Sequence, residues 1–329
     1  MTALAPTLQA FFTDRLINQR HASPHTITGY RDAFRLLLAF AADRTRKRPC
    51  DLDIGDLDAP LVGAFLDHLE VDRHNGVRTR NHRLAAIHSL FSYATLRHPE
   101  HAATIQRVLA IPPKRFERNL VTYLTDDEVE ALVTACDRAT WTGRRDHAMI
   151  VLAIQTGLRI SELAGLSCAD VVLGAGANVH CVGKGRKQRR TPLVGHTTAV
   201  LRVWLAERQG SPHEPLFPTV TGEPLSRDAI EHRITQHVHS AGQACPSIRT
   251  KKITAHTLRH TAAMRLLLSG VDVTVIALWL GHEQVSTTNI YLHADMALKE
   301  QAIARTTPPN TDPARYQAGD DLLAFLEQL

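Results

Sequence analysis

One window interrupts an otherwise helical pattern, and it limits the folds open to this 329-residue chain. Residues 170–194, DVVLGAGANVHCVGKGRKQRRTPLV, hold three short β-prone pieces at 171–173, 179–182 and 188–194, divided by Gly-rich turns. Elsewhere the apolar residues recur mostly at three- and four-residue spacing, the period of helices buried on one side. A single β-prone window of this length makes one small antiparallel sheet. The expected class is therefore mainly α with a small antiparallel β-sheet, and Lys184 is expected on the sheet's second turn.

Before that window the chain reads as helices alone. One is expected near 6–20. Ser23-Pro24 starts a second, with Ser as N-cap and Pro in the first turn; Ile27, Tyr30, Phe34, Leu37, Leu38 and Ala41 follow at helical spacing. A third covers about 60–71 and a fourth about 77–97, with Leu84, Ile87, Leu90, Phe91 and Ala94 on one face. These four helices form a bundle over residues 1–110. The Pro pair at 112–113 and the cations Lys114, Arg115 and Arg118 mark residues 111–122 as a linker. Thr125-Asp-Asp-Glu128 then caps a new helix, with acids in the first turn where the dipole favours them. The second domain is expected over 123–305, with helices near 196–209 and 226–241, then HTLRHTAAMRLLLSG and DVTVIALWLG, each closed by a Gly. Residues 306–329 are a polar, Pro-rich linker and a short amphipathic tail, DLLAFLEQL, docking on its own domain or on a neighbouring protomer.

Charge is unevenly placed. Residues 1–118 carry 17 Lys and Arg against 12 Asp and Glu, and residues 179–259 carry 13 against 5, while the whole chain is only +5. Clustered positive charge fits a polyanionic partner. No apolar run approaches the roughly 20 residues of a membrane span, and the N-terminus lacks the basic start of a signal peptide. Five scattered cysteines form no CxxC pair, so neither a structural zinc site nor a disulfide framework is expected, and a cytoplasmic location fits. His256 and His260 stand four apart as in HExxH zinc sites, but the Glu is missing; GKGRK is too short for a phosphate-binding P-loop. No metal and no nucleotide cofactor are expected.

Six residues bear chemistry in a fixed order: Arg159 in TGLRISEL, Lys184 in GKGRK, His256 and Arg259 in HTLRHT, and His282 and Tyr291 in LGHEQVSTTNIYLH. Singly each has an ordinary structural explanation, as solvated cation, helix histidine or core tyrosine. Together they suit the phosphodiester cleavage that their family resemblance implies. A phenol attacks phosphorus only with help, because its pKa near 10 leaves about one in a thousand ionised at pH 7. His256 is suited to take the proton. Arg159 and Arg259 can clamp the non-bridging oxygens with forks that stay charged, and His282 can add a hydrogen bond.

The order Arg, Lys, His-x-x-Arg, His, Tyr resembles the tyrosine recombinases, the phage-integrase type, over residues 120–305. The N-terminal bundle resembles, more loosely, their SAM-like core-binding domain. The resemblance implies a site-specific recombinase that cuts and rejoins double-stranded DNA through a 3′-phosphotyrosyl intermediate. It makes Tyr291 the nucleophile and Lys184 the acid for the departing 5′-oxygen, with four protomers assembled on DNA, possibly including related recombinases. A Xer-like or mobile-element recombinase fits better than an integrase with an extra arm-binding domain. Arg78, Arg80 and Arg83 in the bundle, and Lys187, Arg189, Arg190, Lys251 and Lys252 in the second domain, are the expected DNA contacts, mostly to phosphates. Two other readings stay open: a type IB topoisomerase-like nicking-closing enzyme, and a catalytically silent DNA-binding regulator.

Overall fold

The computed structural model describes residues 4–116, 121–183 and 188–282, together with Thr288 and Tyr291. The chain divides into two units, Met1–Asn119 and Leu120–Leu329, each with its own apolar core.

In the first unit, α1 (Leu4–Ala10) runs directly into a π-helical stretch, Phe11–Gln19. Helix α2 (Pro24–Thr45) begins where the Ser23 hydroxyl accepts the Thr26 N–H. Helices α3 (Ala59–Val71) and α4 (Val77–Ala94) follow. Phe11, Phe34, Phe65 and Phe91 are buried among Leu37, Leu66, Leu69 and Ile87; of these, Phe34, Leu37, Ile87 and Phe91 lie on the faces that the helical spacing predicts. A fifth helix, α5 (Ala102–Leu109), was not expected. It buries only Ile105 and Val108, two anchors three residues apart, too few for a periodicity to register behind the His98-Pro99 break.

The start of the expected linker is fastened to this bundle. The Asn81 side chain donates to the Lys114 carbonyl at 2.7 Å and accepts the Lys114 N–H at 3.0 Å. Arg80 donates to the Pro112 carbonyl at 3.3 Å.

The second unit opens with α6 (Asp126–Thr134), capped by the Thr125–Glu128 box, and α7 (Trp141–Thr156). Residues 148–154 of helix α7 are all buried, Met149, Ile150 and Leu152 completely, so this stretch lies within the core of the unit. After α8 (Ile160–Ala164) come β1 (Val171–Val172), β2 (Asn178–Val182) and β3 (Gln188–Pro192). They form the antiparallel sheet β1-β2-β3, with Cys181 opposite Arg189 and His180 opposite Arg190. Helices α9 (Gly195–Arg208), α10 (Arg227–Ala244), α11 (Ala255–Leu268) and α12 (Val273–Leu280) complete it. Gly157 ends α7 in the left-handed region, φ 64°, and a Cβ there would lie 2.5 Å from Leu280 Cδ2. The α7–α8 corner and the end of α12 therefore meet at glycine distance.

A buried carboxylate joins α7 to α10. Asp146 accepts from Arg145 Nε and Nη2 at 3.0 and 2.8 Å, from Arg233 Nε at 2.6 Å, and pairs with His237 Nε2 at 2.9 Å. Burial by itself would raise the carboxyl pKa, but the His237 and arginine hydrogen bonds outweigh it and hold it below the ordinary value. Removing one partner of such a set leaves buried charge uncompensated. Asp146→Asn is expected to cost about 3–5 kcal/mol in urea unfolding at pH 7. A depressed folded pKa stabilises above the unfolded carboxyl value, about 4, and that contribution is lost as pH falls through the lower folded value. The gap between wild type and Asp146→Asn should therefore narrow at pH 3; an unchanged gap would contradict the account.

Among the described residues no His, Cys, Asp and Glu group is placed to hold a metal ion, and no helix is long and apolar enough to cross a membrane.

Candidate active site

Two guanidiniums meet the C-terminal end of α12. Arg259, on α11 and 2 % exposed, donates through Nη2 to the Leu280 carbonyl at 2.7 Å and through Nη1 to the Gly157 carbonyl at 2.5 Å. Arg159, the N-cap residue of α8, donates through Nη2 to the next carbonyl, Gly281, at 3.0 Å. A helix C-terminus presents unpaired carbonyls and partial negative charge, which favours cations. Each guanidinium carries five N–H groups, so these contacts orient the forks and leave donors for an anion.

Glu162 fixes the arrangement from behind. It is 5 % exposed and accepts the Arg159 N–H at 2.8 Å and Arg159 Nη1 at 2.9 Å. Arg189, reaching across from β3, grips the same carboxylate with both Nη atoms, at 2.9 and 2.8 Å. Burial would raise the Glu162 pKa; Arg189 and Arg159 overcome it and keep the group ionised. Three guanidiniums against one carboxylate leave the site with a net charge of about +2, suited to an anion.

Three histidines and a tyrosine surround this charge. His256 is exposed, and its pKa is lowered by burial of part of the ring and by Arg259 and Arg159. His260, one turn along α11, packs edge-on against it with ring centroids 4.2 Å apart. His260 Nδ1 lies 3.0 Å from the Tyr291 hydroxyl. His282 Nδ1 pairs with the Thr288 hydroxyl at 2.7 Å. Burial, then Arg259, Arg159 and Arg189, push His282 down to about 4. The Tyr291 ring is 1 % exposed among Ala263, Met264, Leu267, Ile276 and Leu280. Burial raises its phenol to about 12, against the opposing pull of Arg259 and Arg159.

A model of the phage integrase family matches residues 122–297, and one for the N-terminal SAM-like domain of phage integrases matches residues 10–98. The chain belongs to the phage integrase family and is a tyrosine recombinase. It is 54% identical over 99% of its length to a Sinorhizobium fredii protein described as an integrase/recombinase, y4rC, covering 98% of that protein. It is 31% identical to the tyrosine recombinase XerD of Pseudomonas putida, over 94% of this chain and 99% of the relative. Its fold resembles that of the XerH site-specific recombinase in a post-cleavage complex with palindromic difH substrate. The TM-score is 0.68 at 24% identity, with 87% of this chain and 81% of that one covered. Site-specific recombination is the class of reaction that goes with this membership.

In this tyrosine recombinase, Arg159, His256, Arg259, His282 and Tyr291 come from α8, α11 and the segments following α12. Lys184 and Lys187 lie outside the described residues, as does the tail. The expected DNA contacts divide. Arg190 and Lys252 are exposed, and so is Arg78, with its guanidinium 5.4 Å from the Phe116 ring centroid. Arg83 is half-buried, and burial lowers its pKa.

Three others hold internal partners, contrary to a role as free surface cations. Arg80 is 6 % exposed beside Glu70 and bonded to Asn81 and Pro112. Arg189 is turned onto Glu162. Lys251 donates to Glu128 at 2.5 Å and to the Tyr123 carbonyl at 3.0 Å. Sequence shows the cations but not the buried carboxylates facing them from other elements.

Sequence reasoning also passed over Glu162 and His260. The first was visible as the N3 acid of an R-I-S-E helix start, the second only as half of a rejected zinc pair.

Proposed function

We propose that this recombinase cuts and rejoins double-stranded DNA through a 3′-phosphotyrosyl ester on Tyr291, without metal or nucleotide. The observation that carries the reading is the pairing of Arg159 and Arg259 on consecutive carbonyls at the end of α12, in the same site as the Tyr291 phenol. Non-bridging oxygens of the scissile phosphate sit between the two forks, and His282 adds a hydrogen bond. Permanent guanidinium charge, aimed before the substrate arrives, does what a bound cation does in other phosphoryl-transfer enzymes. Tyr291 Oη attacks phosphorus, and the 5′-oxygen leaves with a proton from Lys184. A histidine of α11 receives the phenolic proton, His256 in the expectation from sequence. The ester conserves the bond energy, so a 5′-hydroxyl from a second duplex can reverse the step and exchange strands. Two duplexes require four protomers. Arg78, Arg190 and Lys252 hold the phosphate backbone.

The test is covalent capture by the full-length protein in EDTA. Duplexes are drawn from both sides of its coding region, with inverted repeats and a nick beside the candidate phosphate. An SDS-stable adduct is expected, with the DNA 3′ end on the peptide containing Tyr291. DNA retention without any adduct would favour the silent regulator. Cleavage and resealing that never transfers a strand to the second duplex would favour the topoisomerase-like reading.

A further inference from the structure

We propose that Arg189 is a positioning residue for cleavage: its fork occupies the Glu162 carboxylate, so that Arg159 stays aimed at the scissile phosphate instead of being drawn onto Glu162. The proposal rests on the recombinase reading. Strand β3 turns Arg189 inward and Arg190 out to solvent, the alternation of a strand. The ladder with β2 fixes the Arg189 backbone, with Cys181 directly opposite. The Arg189 side chain is 11 % exposed and that of Glu162 2 %. Arg189 Nε is buried without a partner, and among the described residues the hydrogen bonds of this guanidinium go to Glu162 alone. A Cβ on Gly281 would lie 2.9 Å from Arg189 Nη1. The fork therefore lies tight against the residue whose carbonyl receives Arg159.

The lone pairs of Glu162 explain how this works. A carboxylate offers about four acceptor positions. Glu162 Oε1 accepts Arg159 Nη1 and Arg189 Nη1, both at 2.9 Å, and Oε2 accepts the Arg159 N–H and Arg189 Nη2, both at 2.8 Å. Arg159 thus gives the carboxylate one side-chain nitrogen and keeps the other on the Gly281 carbonyl. Its remaining N–H groups are free for an anion. Without Arg189, half of these acceptor positions open beside Arg159. Side-by-side pairing of a guanidinium with a carboxylate is the strong, bidentate form, and it is strengthened where water is excluded. Arg159 would turn onto Glu162, and the phosphate would lose one side of its clamp. Burial acts to raise the Glu162 pKa, and the Arg189 hydrogen bond is the largest contact opposing it. Losing Arg189 also takes a positive charge from the site. Neutralising Glu162 as well removes the competitor and restores the balance of charge.

The test is single-turnover adduct formation by the full-length protein, on the duplex captured by wild type, with protein in saturating excess. Urea unfolding first establishes that each variant is folded under the assay conditions. Arg189→Gln should slow adduct formation about 100-fold, the effect of misdirecting one preorganised donor, with DNA retention at saturation unchanged. Adding Glu162→Gln should return at least about tenfold of that loss, because a neutral amide no longer captures Arg159. Arg190→Gln should do the opposite, weakening retention while the rate at saturation stays near wild type. A residue that serves only the fold leaves the rate per folded molecule alone, so a folded Arg189→Gln as fast as wild type would overturn the proposal. A double variant no faster than Arg189→Gln would also overturn it, since Glu162 would not be the intermediary. Should Arg189→Gln fail to fold, the charge-balanced double variant decides: it should fold and form adduct within about tenfold of the wild-type rate. A double variant that is folded but inactive, or that also fails to fold, would overturn the assignment. If wild type forms no adduct, the recombinase reading falls and the role of Arg189 with it. An active wild type with an equally active Arg189→Gln removes the Arg189 assignment alone.

Discussion

Tyr291→Phe should abolish the SDS-stable adduct while leaving DNA retention and the fold intact. The substitution removes one oxygen. The phenylalanine ring still fills the seat made by Ala263, Met264, Leu267, Ile276 and Leu280. What is lost is the hydrogen bond to His260, about 1 kcal/mol for a neutral pair, too little to unfold a domain. The chemical effect should be total, because the substitution removes the attacking oxygen itself. Tyr291→Ala would be a poorer test. Emptying an aromatic site costs about 3–5 kcal/mol, and a lost adduct could then reflect a collapsed seat. The measurement is the adduct on nicked duplex beside a filter-retention assay on the same preparation. An adduct that persists in Tyr291→Phe would show that Tyr291 is not the nucleophile.

Arg259→Lys should slow adduct formation by about 10²–10³-fold, the effect of removing one preorganised donor from a developing anion. Charge is retained, so the loss isolates geometry. Arg259 spans the Gly157 and Leu280 carbonyls, which lie on different elements; an ammonium on a flexible stem cannot hold both while facing a phosphate. Its guanidinium is lowered to about 10, chiefly by burial and then by Arg159, which leaves it charged at pH 7. Arg259→Ala should lose at least as much activity and also stability. Its two hydrogen bonds to buried carbonyls are each worth about 1.5–3 kcal/mol when the donor is charged. Urea unfolding of wild type, Lys and Ala variants separates the two effects. A lysine variant as active as wild type would show that Arg259 serves the fold and not the chemistry.

The same residues show where a linear reading of the chain succeeds. The start of α2 was legible because Ser23 and Pro24 act within one turn. The corner at Gly157 and the ends of α11 and α12 at Gly270 and Gly281 were legible because positive φ is costly for any residue with a Cβ. The sheet was legible because its three pieces are the only concentrated β-prone run. Local causes leave local signatures. Helix α5 escaped because its two anchors, Ile105 and Val108, gain their meaning only from packing on α3 and α4.

Within the site, the order of Arg159, His256, Arg259, His282 and Tyr291 was determined by the sequence alone, since each lies in a motif read from neighbouring residues. Only the tertiary structure decided which of them touch. Lys251 and Arg80 looked like surface cations until Glu128 and Glu70 were placed opposite them. Arg189, expected at DNA, has both ends of its fork on Glu162, which a linear reading does not show. His256 looked like the partner of Tyr291, yet the hydroxyl meets His260. The reason is physical: a charge or a proton acceptor is defined by what stands within about 3 Å of it. Glu162, Tyr291 and Glu128 lie 27, 31 and 123 residues along the chain from Arg189, His260 and Lys251, separations that no local pattern encodes.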